Sequence, residues 1–180
     1  MAIFFTSDTH FGHKNIIKYC KRPFSSVEEM DDALIENWNK KISLRGNTVY
    51  HLGDFANAHR AEKVLEYRKR LNGRIILIEG THDNFDDKKA CGFTHMTPLL
   101  PIKHEGVSIT LCHYALRVWP KSHFDAWHCY GHSHGRLEPI GKSWDVGVDN
   151  NNYSPISFEE LSTIMADRPH NPNLIKVKTE

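Results

Sequence analysis

Four short clusters of acidic, histidine and glycine residues each follow an apolar run of the sequence. In chain order they are Asp8-Thr9-His10, Gly53-Asp54, Gly80-Thr81-His82-Asp83, and His113 together with Gly131-His132-Ser133-His134-Gly135. Residues at i and i+2 of an extended chain point the same way, so Asp8 can act with His10, and His132 with His134. Any one cluster is common as a turn, but all four in this order predict a shared metal site.

The chemistry that fits these residue types is that of two metal ions. Two divalent ions roughly 3.5–4 Å apart need a shared anionic ligand, terminal carboxylates and imidazoles, and open positions for water and substrate. Asp8 and Asp54 would offset only half of the four positive charges, so the site would retain a hydroxide and a phosphate oxygen. Nitrogen and oxygen ligands without a thiolate indicate Mn, Fe, Zn, Ni or Co, among which we favour Mn.

Strands that end at these clusters must bring them together. Apolar segments predict strands over residues 2–6, 48–52 and 74–78. A capping box at Ser26 to Glu29 predicts a helix that ends near residue 41, and a second helix is expected over 59–71. This β-α-β-α-β order predicts a parallel sheet whose strands end on one edge. The segment 13–22 is expected to be a loop over the metals.

The second half of the chain has a different pattern. Residues 98–103 and 107–112 predict an antiparallel hairpin, and short strands are expected over 127–130 and 144–148. A second capping box, Ser157 to Glu160, starts a final helix that ends near 166. We therefore expect an α/β fold in which two mixed sheets stack and helices flank them, with residues 1–180 as a single domain.

Composition excludes several classes of protein. The chain has 180 residues, 39% of them hydrophobic, and no run of 18 apolar residues, which argues against a membrane span. A formal charge of +1 argues against an extended basic clamp for nucleic acid. Four widely spaced cysteines argue against a zinc finger and a disulfide scaffold, and indicate reduced thiols in a cytoplasmic protein.

The ordered motifs resemble those of the calcineurin-like metallophosphoesterases. Three flanking segments resemble a small bacterial and phage branch of that superfamily whose members are predicted phosphoesterases: Phe11-Gly12-His13, Arg22-Pro23-Phe24 and Val146-Gly147-Val148-Asp149. The resemblance implies a four-layer α/β/β/α sandwich, which agrees with the strands and helices expected above.

The resemblance also implies roles for individual residues. The first metal would be held by Asp8, His10 and His134, the second by His113 and His132, with Asp54 as the bridge. Two further residues would be catalytic. His82 would contact the phosphate and protonate the leaving oxygen, and Asp83 beside it would orient the His82 ring.

One metal position departs from the family pattern. Thr81 stands where the family has an Asn whose amide oxygen binds the second metal. A Thr hydroxyl lies closer to the backbone by about one bond, roughly 1.5 Å, so we expect a weaker second metal site. In the loop after the first motif, His13, Asn15 and Arg22 are the candidate substrate-binding residues, and Arg22 matches phosphate oxygens in two-point fashion.

The expected activity is hydrolysis of a phosphate ester by a hydroxide held on the dinuclear centre. A phosphodiester or cyclic nucleotide is slightly favoured over a monoester, and the partner is then a nucleotide or nucleic acid. One alternative is a non-catalytic binding scaffold with the same fold. The other is a serine esterase, because Gly131 to Gly135 also satisfies the G-x-S-x-G pattern around Ser133, with Asp145 or Asp149 and then His170 downstream.

Overall fold

A computed structural model describes residues 2–43 and 46–175. The strands of the described chain are β1 Ile3–Thr6, β2 Thr48–His51, β3 Arg74–Ile78, β4 His95–Thr97, β5 Leu99–His104, β6 Val107–Cys112, β7 Trp127–Tyr130, β8 Ser143–Asp145 and β9 Ile156–Ser157. The α-helices are α1 Lys14–Tyr19, α2 Val27–Lys41, α3 Ala61–Arg70 and α4 Phe158–Asp167. Two mixed sheets with helices beside them confirm the predicted α/β fold.

The first sheet has the strand order β4-β3-β2-β1-β9. Strands β1 to β4 are parallel, with Phe4 paired to Val49 and Val49 to Ile75, while β9 is antiparallel to β1. Every residue of β1 is buried, as expected of a parallel strand covered on both faces. Because the parallel strands run the same way, β1, β2 and β3 end on one edge of the sheet.

The second sheet has the order β5-β6-β7-β8. Strands β5 and β6 form the predicted antiparallel hairpin, and β7 and β8 add to it in parallel. The strand predicted over 144–148 is shorter than expected: β8 ends at Asp145, and a 3₁₀ helix over Val148–Asn150 follows.

The helix caps agree with the sequence. Ser26 accepts a hydrogen bond from the Glu29 amide at the start of α2, and Ser157 with Glu160 forms a complete capping box on α4. Helix α1 is a difference, because it lies in the segment 13–22 that was expected to be a loop. None of the helices within 2–43 and 46–175 is long and apolar enough to cross a membrane.

Two apolar cores hold the layers together. Met30, Leu34 and Trp38 of α2 pack with the first sheet and with α3. Between the sheets, Phe5 and Leu111 share a core that Phe158, Leu161 and Met165 of α4 complete. On the outer face of the second sheet, Trp119 packs on the ring of His128, beside a 3₁₀ helix over Ser122–Phe124. These layers fix the common edge at which β1, β2 and β3 end.

Candidate metal centre

The predicted ligands lie in the loops that follow β1, β2, β3, β6 and β7, at one edge of the two sheets. Five of these seven residues have a positive φ although they are not glycine: Asp8 (58°), His10 (51°), Asp54 (56°), His132 (65°) and His134 (49°). Such a backbone costs of order 1–3 kcal/mol per residue and clusters at functional sites. The fold holds these side chains in place against that cost.

The ligand loops are joined by backbone hydrogen bonds and by close contacts at glycine. The amide of Asp8 donates to the carbonyl of Gly53 (2.9 Å), and that of His10 to the carbonyl of Asp54 (3.0 Å). At Gly131 a Cβ atom would lie 2.0 Å from the Ser7 Oγ and 2.5 Å from a carboxylate oxygen of Asp8, so only glycine fits there. The last cluster is therefore pressed against the first.

Two groups of three residues can hold a metal ion. In each group one ligand atom per residue lies within 4.8 Å of the others, and the groups are Asp8, His10 and His134, and Asp54, His113 and His132. These are the terminal ligand sets that the family resemblance implies, with Asp54 between them. Two further groups are His10 with Asp54 and His82, and Cys20 with His134 and Asp149.

The carboxylate of Asp54 lies between the two groups. Its Oδ2 is 3.5 Å from the Nε2 of His10 and 3.6 Å from the Nε2 of His113. Both of those ring nitrogens are buried and have no hydrogen-bond partner among the described residues. Buried polar atoms are otherwise almost always paired, so two unpaired nitrogens on either side of one carboxylate oxygen fit a pair of cations.

Hydrogen bonds at the Nδ1 atoms of His113 and His134 fix the orientation of these two candidate ligands. The Nδ1 of His113 donates to the carbonyl of Leu52 (2.6 Å), and the Nδ1 of His134 donates to the carboxylate of Asp149 (2.6 Å). In His113 the Nε2 then carries the lone pair that a metal needs, and in His134 the Nε2 is the ring nitrogen that remains for a metal. The oxygens of Asp8 meanwhile accept from the backbone amide of His132 (3.0 and 3.1 Å), which holds two clusters together.

The electrostatics of the buried groups fit the same donor set. Burial raises the pKa of Asp8 to about 8. Burial also lowers the pKa of His10, and the positive charges of His134 and Arg22 lower it further. Burial lowers the pKa of His113 as well. A divalent cation stabilises neutral imidazoles and a desolvated carboxylate, because it binds the lone pairs of the first and the charge of the second.

His82 is exposed beside this pair of groups. Its ring centroid is 5.2 Å from that of His10, and its backbone amide donates to the Oδ1 of Asp54 (2.8 Å). His13 lies on the same side, with its Nδ1 3.4 Å from the Nδ1 of His10 and its ring centroid 6.0 Å from that of His82. The His82 ring is thus exposed and the His13 ring half-buried, and both lie next to the candidate ligands.

The contacts of Asp83 differ from the expectation that it orients the His82 ring. Its carboxylate is buried and accepts from the backbone amides of Asp54 (2.8 Å), Phe55 (3.0 Å) and Gly80 (2.8 Å). Adjacent residues on a bend point in different directions, so the neighbour of His82 in sequence is not its neighbour in space. Asp83 therefore positions the Asp54 loop.

Arg22 differs from the prediction that it binds phosphate. Its side chain is fully buried, and it donates to both carboxylate oxygens of Asp149 (2.8 and 2.9 Å) and to the carbonyls of Asp8 (2.7 Å) and Thr9 (3.0 Å). A guanidinium enclosed in this way has no open face for substrate. Arg22 is a positioning residue behind the first ligand cluster.

The role of Asp149 is the one that sequence reasoning missed. Asp149 joins the Nδ1 of His134 to the guanidinium of Arg22, and these bonds lower its pKa although burial acts to raise it. The signal available in the sequence was the string Asp145 to Asp149, which follows the last cluster and places two carboxylates at i and i+4.

Two further predicted residues lie at the rim of the site. Thr81 is exposed, and its hydroxyl is 3.2 Å from that of Tyr114, whose ring packs against the rings of His113 and His132. Its role as a metal ligand stays a prediction. Asn15 is exposed on α1, and its role in substrate binding also stays a prediction.

The geometry around Ser133 does not match a serine esterase. The Ser133 hydroxyl donates to the carboxylate of Asp145 (2.5 Å) with no imidazole between them. The residues after Ser133 form turns, whereas a nucleophile elbow leads into a helix. The His170 ring is paired with Asp125 instead.

Comparisons with known proteins identify relatives of the chain. No family model matches it. The uncharacterized protein MJ1445 of Methanocaldococcus jannaschii is 38% identical over 165 residues, 87% of each chain. The gene 66 protein of Mycobacterium phage L5 is 33% identical over 81 residues, which is 44% of this chain and 38% of that one.

Solved structures resemble the fold. The protein of unknown function AQ665 from Aquifex aeolicus has a TM-score of 0.69 at 28% identity, over 91% of this chain and 98% of that one. A nuclease of Pseudomonas putida, MPE, has a TM-score of 0.48 at 20% identity, over 73% of this chain and 61% of that one. The chain belongs to the same family as the uncharacterized protein MJ1445.

Proposed function

We propose that this protein is a metal-dependent phosphoesterase that hydrolyses a phosphodiester at a dinuclear centre. The observation that carries the proposal is the Oδ2 of Asp54, 3.5 and 3.6 Å from the unpaired Nε2 atoms of His10 and His113. A carboxylate between two free imidazole lone pairs is the arrangement that a bridging ligand requires.

The proposed cofactor is a pair of divalent ions of Mn, Fe, Zn, Ni or Co, which all accept nitrogen and oxygen donors, and Mn is the metal that we favour. When bound, such ions supply Lewis acidity, which lowers the pKa of water and offsets the charge of the phosphate. Asp8, His10 and His134 would hold one ion and His113 and His132 the other, with Asp54 shared and Thr81 at the second position.

His82 is the proposed general acid. During hydrolysis a water oxygen would form a bond to phosphorus and release a proton to solvent, while the ester P–O bond breaks and a proton from the His82 ring passes to the leaving oxygen. The His82 amide is tied to the Oδ1 of Asp54 (2.8 Å), so the ring keeps a fixed place relative to the bridge. His13, with its ring 6.0 Å from that of His82, is the proposed phosphate contact on the same side.

A phosphodiester is proposed over a monoester because the site is open. His82, Thr81 and His132 are all exposed, so a substrate that continues on both sides of the phosphate has room at this rim. We also propose a cytoplasmic location, in keeping with four free thiols.

Hydrolysis of bis-p-nitrophenyl phosphate with added Mn²⁺ tests the proposal. We expect turnover that a chelator abolishes and that Asp54→Ala removes, while Ser133→Ala and the exposed matched control Asp167→Ala retain it. Chelator-resistant turnover that is lost in Ser133→Ala would indicate the serine esterase instead. Absence of turnover with any phosphate ester, despite Mn²⁺ binding, would indicate the non-catalytic scaffold.

A further inference from the structure

A polar cleft of about 280 Å³ opens directly beside His82. It is lined by residues from two loops, Asn57, Ala58 and His59 after β2, and Thr81, His82 and Asn84 after β3. It is wide open to solvent, because five of its six lining residues are exposed, and its volume is just below about 300 Å³, where the range of ligand pockets begins.

The two walls of the cleft are fixed to each other. The Nδ1 of His59 donates to the backbone carbonyl of Asn84 (2.6 Å), and the amide of Asp86 donates to the carbonyl of His59 (3.0 Å). The amide of Asn57 donates to the carbonyl of Phe11 (2.8 Å). The cleft is therefore formed before any ligand arrives, which reduces the entropy lost on binding.

Apart from its two histidines the lining has no ionisable side chain, and it is rich in hydrogen-bonding groups. None of the six lining residues is Asp, Glu, Lys or Arg. The side-chain amides of Asn57 and Asn84 have no hydrogen-bond partner among the described residues, so each offers a free carbonyl and a free NH₂. Paired donors and acceptors of this kind match the edges of nucleobases, whereas a second phosphate would need a cation.

We propose that this cleft is the leaving-group subsite and that it takes a nucleoside. This assignment rests on the proposed function, because His82 is then the acid that protonates the departing oxygen. A nucleoside that departs on the His82 side has its hydroxyl oxygen at that ring and its base or sugar against Asn57 and Asn84. The substrate class is accordingly a phosphodiester with a nucleoside leaving group.

The test compares two substrates with Mn²⁺ present, a dinucleoside monophosphate and bis-p-nitrophenyl phosphate. The quantity measured is the ratio of their kcat/KM values. The double variant Asn57→Ala/Asn84→Ala should lower that ratio by roughly 10- to 100-fold, as expected for the loss of two or more neutral hydrogen bonds. Asn173→Ala, an exposed amide outside the cleft, should leave the ratio as in the unaltered protein.

The outcomes separate this inference from the proposed function. An unchanged ratio in the double variant overturns the nucleoside subsite and leaves the phosphoesterase proposal standing. Equal losses on both substrates, with an unchanged melting temperature, also overturn it, because the two amides would then act on the common step. If the unaltered protein hydrolyses neither substrate, the proposed function fails, and the subsite fails with it.

Discussion

Replacing Asp149 with Asn should weaken metal binding through a residue that is not itself a predicted ligand. Asp149 accepts from the Nδ1 of His134 (2.6 Å) and from two nitrogens of Arg22 (2.8 and 2.9 Å). In this variant an NH₂ group replaces one of the two carboxylate oxygens. That NH₂ would then face an N–H donor of His134 or of Arg22. His134 then loses the partner that fixes its ring, and Arg22 keeps its charge without a counter-ion.

The size of the effect follows from burial. The Arg22 side chain is 0% exposed and that of Asp149 only 6%. Removing one partner of a buried ion pair costs about 3–5 kcal/mol, so we expect a loss of this order in the free energy of unfolding. The loss of a hydrogen-bond partner behind a metal-bound histidine typically costs 10- to 100-fold in metal affinity, which we expect for Mn²⁺.

Urea unfolding and Mn²⁺ titration calorimetry measure the two quantities. Asp125→Asn is a matched control, because Asp125 also pairs with a histidine, His170, but at the surface, where such a pair is worth about 1 kcal/mol or less. Wild-type Mn²⁺ affinity in Asp149→Asn would refute the role of Asp149 in orienting His134. Wild-type stability would refute the argument from the buried charge of Arg22.

Three further predictions concern the acid, the second metal and a buried histidine. His82→Ala should lower kcat by about 10²–10⁴ without changing Mn²⁺ affinity, and an equal loss of affinity would contradict its role as acid. Thr81→Asn should tighten the second Mn²⁺ by roughly tenfold, about 1.4 kcal/mol, and equal metal content and activity in both proteins would defeat that hypothesis. Burial and, second to it, the neighbouring His113 lower the pKa of His51 to about 3. Between pH 6.5 and 5 this ring therefore gains a proton only in the unfolded chain, so about 2 kcal/mol of the free energy of unfolding is lost as the pH falls. His51→Gln should flatten the pH dependence of urea unfolding by that amount, and an unchanged slope would contradict the neutral buried ring.

The ligand clusters could be predicted from the sequence because local pattern and topology agree there. Apolar runs that end in Asp, His and Gly mark strand ends, and parallel strands end on a common edge. Asp8 and Asp54, which follow the parallel neighbours β1 and β2, could therefore be expected to meet. The capping boxes at Ser26 and Ser157 gave the starts of α2 and α4 for an equally local reason.

The missed features depend on distant partners. Helix α1 begins at Lys14, and the residue before it, His13, makes no side-chain cap hydrogen bond, so no local signal marked the helix. The strands β4 and β9 have three and two residues and exist through their pairing with β3 and β1.

The role of Arg22 was missed for the same reason. Its partner Asp149 lies 127 residues away in sequence. Whether an arginine faces solvent or a buried carboxylate is decided by packing that a single sequence does not display.

Anomalous diffraction from a crystal soaked in Mn²⁺ tests the central claim most directly. We expect two peaks roughly 3.5–4 Å apart, one on each side of the Oδ2 of Asp54, with the first near His10 and the second near His113. A single peak, or peaks that lie away from this carboxylate, would contradict it.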